Sequence, residues 1–284
     1  MKPALSIWSC HKYLYDGTWN NEDFIAFAAE AGAEGVELLN MFWKNDDELD
    51  RVKEALERNG LKLACFGAGN NFAEPDEVKR RQQVDDIRTA VDRAAALGAS
   101  VVRVFAGDRK EGVSYDDAKL WIAEGLKEAA AYAEAKGIAL CLENHGVFAG
   151  KAHQVLEIIQ QVDSPALRST FDMGNFLLVD DNPSEAIVKL LPYLSHVHVK
   201  DFVKVPENYE GLAFKALNGE RFAGKVPGEG SVDIGYVFDQ LQLSGYEDWL
   251  TVEYEGDEDQ QLGSRRALLK VRELAGGQTT ESRK

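Results

Sequence analysis

Residues 195–201 read SHVHVKD, a stretch in which polar and apolar residues alternate. A period of two belongs to a β-strand with unlike faces, so His196, His198 and Lys200 share one side while Val197 and Val199 share the other. The valines suit packing helices. The imidazoles, two of only five histidines in the chain, need a reason on their own side, and the rest of the sequence supplies it.

Short β-rich runs like this one recur with amphipathic helical patterns between them. They fall at 4–8 (ALSIW), 34–38 (EGVEL), 61–66 (LKLACF), 101–105 (VVRVF), 138–142 (IALCL), 167–171 (LRSTF), 195–199 (SHVHV) and 249–253 (WLTVE). Several helical patterns end at a glycine just before the next strand, as at Gly60, Gly98, Gly137 and Gly245, where a left-handed cap suits glycine. Parallel strands need helical crossovers, and eight of them close a sheet. The expectation is an α/β chain forming a single (β/α)8 TIM barrel over residues 1–275, with 276–284 (GGQTTESRK) as a solvated tail.

The composition agrees. Of 284 residues, 45% are hydrophobic and 28% charged, as in a globular protein able to bury a full core. Forty-eight acidic residues against 32 Lys and Arg give a formal charge of −16, which repels phosphate backbones and anionic membranes, so no nucleic acid and no membrane is expected as a partner. No stretch has the length of a membrane span, and the N-terminal apolar run is too short for a signal peptide. Three widely spaced cysteines, Cys10, Cys65 and Cys141, point to reduced thiols and a cytoplasmic location. Cys141 lies below the rim and reads as packing, and GAGNNF (67–72) lacks the third glycine of a dinucleotide loop, so it reads as a barrel loop.

In such barrels the chemistry sits at the C-terminal ends of the strands. The fifth strand ends in CLENHG with Glu143 facing inward, the sixth in STFDMGN with Asp172, the seventh with His198 and the eighth, WLTVEYEG, with Glu253. Four successive strands each deliver one ligand-type side chain to the same rim. One imidazole and three carboxylates make a hard donor set, suited to one divalent metal ion, Mn²⁺ before Mg²⁺, Co²⁺ or Zn²⁺. Such a cation would stabilise the enediolate formed when a proton leaves the carbon between a carbonyl and a hydroxyl, with Glu143 and Glu253 as the proton-transfer pair. His196 lies deeper and reads as a structural hydrogen bond. Glu255 points the same way as Glu253 but falls in the loop.

The series CLENHG, FDMGN, HVHVKD and VEYEG, in this order, resembles the sugar isomerase and epimerase group of the xylose-isomerase-like barrel superfamily, which includes ketose 3-epimerases, hydroxypyruvate isomerases and inosose dehydratases. The resemblance covers nearly the whole chain and implies Glu143, Asp172, His198 and Glu253 as metal ligands. Where the ketose 3-epimerases tend to have His three residues past the metal Asp, this chain has Asn175; where they tend to have Arg six residues past the metal His, it has Lys204. Those positions handle substrate hydroxyls, so a different substrate is expected. His145 offers an extra acid or base, Trp8 and His11 stand at the rim after the first strand, and Lys200 is placed to reach a substrate oxygen.

The expected activity is a metal-dependent isomerase or epimerase acting on a small sugar, ketose or hydroxy-keto acid. The alternative on the same scaffold is a dehydratase or lyase that expels water or an aglycone. More distant are an apurinic-site endonuclease, which needs a His-rich three-metal site, and a metal-free scaffold. A homodimer or homotetramer fits the exposed helices of a barrel. The segment from about 202 to 230 is too long for an ordinary connection and is expected to cover the site.

Overall fold

The computed structural model describes residues 1–45 and 47–277. In chain order its strands are β1 (Lys2–Ser6), β2 (Gly35–Leu39), β3 (Lys62–Gly67), β4 (Val101–Val104), β5 (Ala139–Glu143), β6 (Leu167–Asp172), β7 (Leu194–Val199), β8 (Asp201–Val205), β9 (Phe214–Lys215), β10 (Arg221–Lys225) and β11 (Trp249–Val252). Strands β1 to β7 pair in sequence and β11 closes the ring between β7 and β1, giving an eight-stranded parallel barrel. The first strand ends at Ser6 rather than at residue 8. Ile7–Cys10 form a 3₁₀ turn capped by the Ser6 hydroxyl, which lifts Trp8 above the rim.

Helices Asn21–Glu30, Glu48–Asn59, Glu77–Ala96, Tyr115–Ala135, Ala152–Val162, Pro183–Leu190, Ile234–Leu243 and Gln260–Gly277 follow the eight barrel strands in turn. Their starts are set by short polar side chains that accept from otherwise unpaired backbone N–H groups, as Asn20, Asp76, Ser114, Asn182 and Asp233 do. Their ends follow the glycines: Gly60, Gly98, Gly137 and Gly245 all lie at φ between +67° and +79°. Gly276 and Gly277 close the last helix, and the remainder of the expected tail, 278–284, lies outside the described residues. Among the described residues no helix is long and apolar enough to cross a membrane.

The main core lies between the barrel and its helices, where Val36, Leu38, Phe66, Val102, Val197 and Val199 are buried. Inside the barrel a second, small cluster of Cys65, Val101 and Cys141 fills the lower end. Burial pushes the Cys141 thiol up to about 12, so it is an inert packing group. Above this plug the interior turns polar: Glu37, Arg103, Thr170, His196 and Thr251 are all buried. A barrel whose middle layer carries charge is unstable unless every charge is paired, and this layer supports the site above it.

The segment after β7 is not a bare loop. Strands β8, β9 and β10 form an antiparallel sheet in the order β8-β10-β9, a strap with its own small core of Phe202, Ala216 and Phe222. Burying Phe202 alone stabilises the strap by about 1.5–3 kcal/mol. Its far end is tied back by Asp201, whose carboxylate accepts from the backbone N–H groups of Gly228 (2.9 Å), Gly230 (2.9 Å) and Val232 (3.1 Å). Burial raises the Asp201 carboxyl above its ordinary value, and these three donors pull it back.

Candidate metal centre and its cavity

Glu143, Asp172, His198 and Glu253 stand at the ends of β5, β6 and β7 and just past the end of β11, and each offers one donor atom within 4.8 Å of the others. Register accounts for this: Asp172 pairs with His198 and His198 with Thr251, while Glu253 follows one step higher on β11's side, held by its N–H to Val199 O at 3.2 Å. His198 Nδ1 faces Asp172 Oδ2 at 3.6 Å, Glu253 Oε2 at 3.8 Å and Glu143 Oε1 at 3.9 Å, separations too long for hydrogen bonds. His198 Nδ1 is buried without a hydrogen-bond partner, and Asp172 Oδ2 has only the Lys200 ammonium, 3.1 Å away. A buried polar atom left unpaired costs about 1–3 kcal/mol, and His198 Nδ1 faces the point on which the three carboxylates converge. A hard donor set facing a common centre, with an orphaned imidazole nitrogen among its atoms, fits a divalent cation.

Each ligand-type side chain is fixed from behind. Asp172 Oδ1 accepts from Gly174 N and Asn175 N, both at 2.9 Å, and Asn144 clamps the Asp172 backbone from β5. Glu143 Oε1 accepts from Asn175 Nδ2 at 3.0 Å, while its Oε2 lies 3.1 Å from Arg103 Nε. His198 Nε2 lies 2.8 Å and His196 Nε2 3.2 Å from the same Glu37 oxygen, and the other Glu37 oxygen accepts from Ser6 Oγ at 3.1 Å. Burial works against an ionised Glu37, but His198 and His196 outweigh it and hold its carboxyl well below the usual range. An ionised carboxylate only accepts, so both imidazoles carry their proton on Nε2, and Nδ1 of His198 is turned toward the centre.

Charge in the cluster is one-sidedly negative. Burial disfavours a charged His198, yet Glu37 and Glu253 push its pKa well above the ordinary value. Lys200 is likewise raised, against burial, by Asp172, Glu253 and Glu255, whose oxygens lie 3.1, 2.5 and 3.1 Å from its Nζ. Burial raises Glu253 to about 7, Lys200 and His198 opposing and Glu143 and Glu255 adding to it. In Asp172 the burial effect is overruled by Lys200 and His198, and its pKa falls to about 2. Both histidine and lysine cling to protons because the cluster holds a surplus of negative charge that a cation would relieve.

Above the cluster a cavity of about 330 Å³ opens, lined by four of the expected residues, Trp8, His145, Asn175 and Lys200, together with Glu143 and Glu253. Glu255 stands beside the cluster rather than in it: one oxygen accepts from Trp8 Nε1 at 2.7 Å and the other faces Lys200. His11 does not line the cavity; its ring stacks on Trp8 at 4.5 Å between centroids. Lys204 is not brought to the cavity either. It lies on the same face of β8 as Phe202 but two residues further along, on the outer part of the strap, where its side chain is 60% exposed and paired with Glu220. From the strap the cavity receives Phe214 instead.

Sequence reasoning missed Glu37, Arg103 and Phe214. Glu37 and Arg103 each carried a signal, a lone charged residue inside an otherwise apolar strand, since such residues are almost never fully buried unless paired. Arg103 spans the interior, donating to Ala68 O at 2.9 Å and lying 4.0 Å from the Phe105 ring centroid.

A sequence model of the xylose isomerase-like TIM barrel family matches residues 25–274, and the chain belongs to that family. The inosose dehydratase of Clostridium beijerinckii is 25% identical over 248 residues, covering 83% of this chain and 82% of the relative. Among solved structures, a D-tagatose 3-epimerase-like protein is similar with a TM-score of 0.77 at 23% identity, over 99% of this chain and 100% of that one. The IolI protein, solved with a binding zinc atom, gives 0.78 at 17% identity over 98% and 99%.

Proposed function

We propose that the protein is a divalent-metal-dependent enzyme that moves a proton on a carbon beside a carbonyl of a small polyhydroxylated substrate, with isomerisation or epimerisation as the net reaction. The observation that carries this reading is the convergence of three carboxylates and His198 Nδ1 on one point, with the imidazole nitrogen otherwise unpartnered. Glu143, Asp172, His198 and Glu253 would hold one cation, and the oxygen-rich set favours Mn²⁺. A bound divalent cation supplies Lewis-acid polarisation of a carbonyl oxygen. Glu143 and Glu253 come from the two ends of the four-strand arc, so they flank a substrate seated over the centre, one to remove a proton and the other to return it. Asn175 and Arg103 orient Glu143, and Lys200 orients Glu253. His145, lining the cavity beside Glu143, is placed to reach a leaving hydroxyl.

That last placement, with the inosose dehydratase relative, favours elimination of water as the second reading. One experiment separates them. Candidate ketoses and cyclic keto-sugars are incubated with the Mn²⁺-loaded protein in D₂O and followed by NMR. Deuterium incorporated with all hydroxyls retained supports isomerisation; loss of water supports the dehydratase; no exchange from any of them sinks the proton-transfer reading.

A further inference from the structure

The cavity above the centre has two unlike walls. One holds Glu143, Glu253 and Glu255, with Asp172 below them, and its two cations are both engaged: Arg103 by Glu143 and Ala68, Lys200 by three carboxylates. A divalent cation, Arg103 and Lys200 together match the four carboxylates, so no positive charge is left over for a phosphate or carboxylate on the substrate. The other wall carries no charge beyond Arg103 itself, whose guanidinium lies 4.0 Å from the Phe105 ring centroid and is held by Glu143. Trp8, Leu39, Met41 and Phe105 stand at or just past the ends of β1, β2 and β4, and Phe214 and Leu178 face the same space. Between β2 and β4, β3 ends in Gly67, where a Cβ would lie 2.4 Å from Leu39 and 2.7 Å from Arg103, so β3 adds no side chain of its own to this side of the rim.

An open-chain ketose bears a hydroxyl on nearly every carbon. Seated here, its far end would face the uncharged wall, and each hydroxyl left unpaired there costs about 1–3 kcal/mol. A volume of about 330 Å³ is within the range of pockets, roughly 300–1,000 Å³, that enclose ligands larger than a short ketose by combining an apolar wall with a few fixed polar groups. Resting on the proton-transfer reading above, we propose that the substrate is a neutral ring-sugar ketone bearing a substituent with an apolar face. Its reacting end lies over the carboxylates, and the substituent lies against Trp8, Met41, Phe105 and Phe214. The same chemistry is offered by an aryl aglycone and by the C–H face of a second sugar ring.

The test reads binding without turnover. The Mn²⁺-loaded full chain is titrated by calorimetry with D-glucose, phenyl β-D-glucoside, cellobiose and D-glucose 6-phosphate, none of which carries the ketone. At least one substituted sugar is expected to bind about 10-fold or more tighter than D-glucose, a difference of about 1.4 kcal/mol. That advantage is expected to vanish in Met41→Ala/Phe214→Ala; Met41→Ala alone, at a side chain 54% exposed, serves if the double variant does not fold. Tight phenyl glucoside alone supports an aryl aglycone, and cellobiose alone a second ring. Equal or undetectable binding of all sugars, preference for the phosphate, or an advantage that survives the substitutions overturns the proposal. The D₂O exchange assay is scored separately: exchange with no binding advantage removes the substrate class alone, and a binding advantage without exchange removes only the proton-transfer reading.

Discussion

The two halves of the barrel rim are built from the same strand-and-helix unit and end in opposite chemistry. At β5, β6, β7 and β11 the terminal inward residues are Glu143, Asp172, His198 and, one step on, Glu253; at β1 to β4 the corresponding places hold Trp8, Leu39, Gly67 and Phe105. Packing against the helices constrains the outward faces of both halves equally, and Val36 and Leu38 on one are matched by Val197 and Val199 on the other. The difference is confined to the inward face near the strand ends, where nothing in the fold requires polarity. On the proposed reading, half of the rim binds the reacting group and half binds what that group is attached to.

The largest expected effect tests the polar half. Glu143→Gln and Glu253→Gln keep an oxygen donor but no base, so each should lower turnover by about 10²–10⁴-fold while cation binding, followed by calorimetry, weakens far less. Near-normal turnover in both would remove the assigned roles. Next is Glu37→Gln, which reaches the polar half from β2: with the carboxylate gone, His198 loses the partner that directs Nδ1, and Mn²⁺ affinity should fall by about 10–100-fold. An unchanged dissociation constant would mean the ring is held by packing alone. Gly67→Ala probes the boundary between the halves. Its added methyl overlaps Leu39 and Arg103 and should cost about 1–3 kcal/mol of stability, a fall in Tm readable by calorimetry, together with a several-fold loss of turnover as Arg103 shifts from Glu143. Lys204→Ala is expected to change neither kcat nor KM, since its side chain lies outside both halves; a raised KM would return it to the site.

The strands and helices were legible because the barrel repeats one unit whose two faces have different periods, and the four ligand-type residues followed from alternation carried to the strand ends. What stayed hidden had no periodic signal. In β2 all five residues, Gly35 to Leu39, are buried, so nothing in the alternation sets Glu37 apart. The strap was read as one long cover because glycines and prolines at 211, 219, 227, 228 and 230 mask the short strands DFVKV and RFAGK. Without that sheet there was no way to tell that Lys204 ends on the outer part of the strap while Phe214 reaches the cavity. His11 sits at the right height but is turned onto Trp8, a choice made by ring stacking and by Gln260 rather than by position in the strand.

The bond from Glu37 to His198 has a further meaning for assembly. The two residues are 161 apart in sequence, and around the wall β2 and β7 are separated by β1 and β11, the pair whose meeting joins the beginning of the chain to its end. Glu37 is thus a chord across the seam. The four donors from β5 onward come together in the second half of the chain, but the imidazole is oriented only after the first two strands have docked. If the proposed site holds its cation, affinity and ring closure are thermodynamically linked: a cation at 100 times its dissociation constant would stabilise the closed ring by about 2.7 kcal/mol, and a molecule with its seam open would have a weaker site to offer it. On the proposed reading, metal binding would double as a check that the ring has closed.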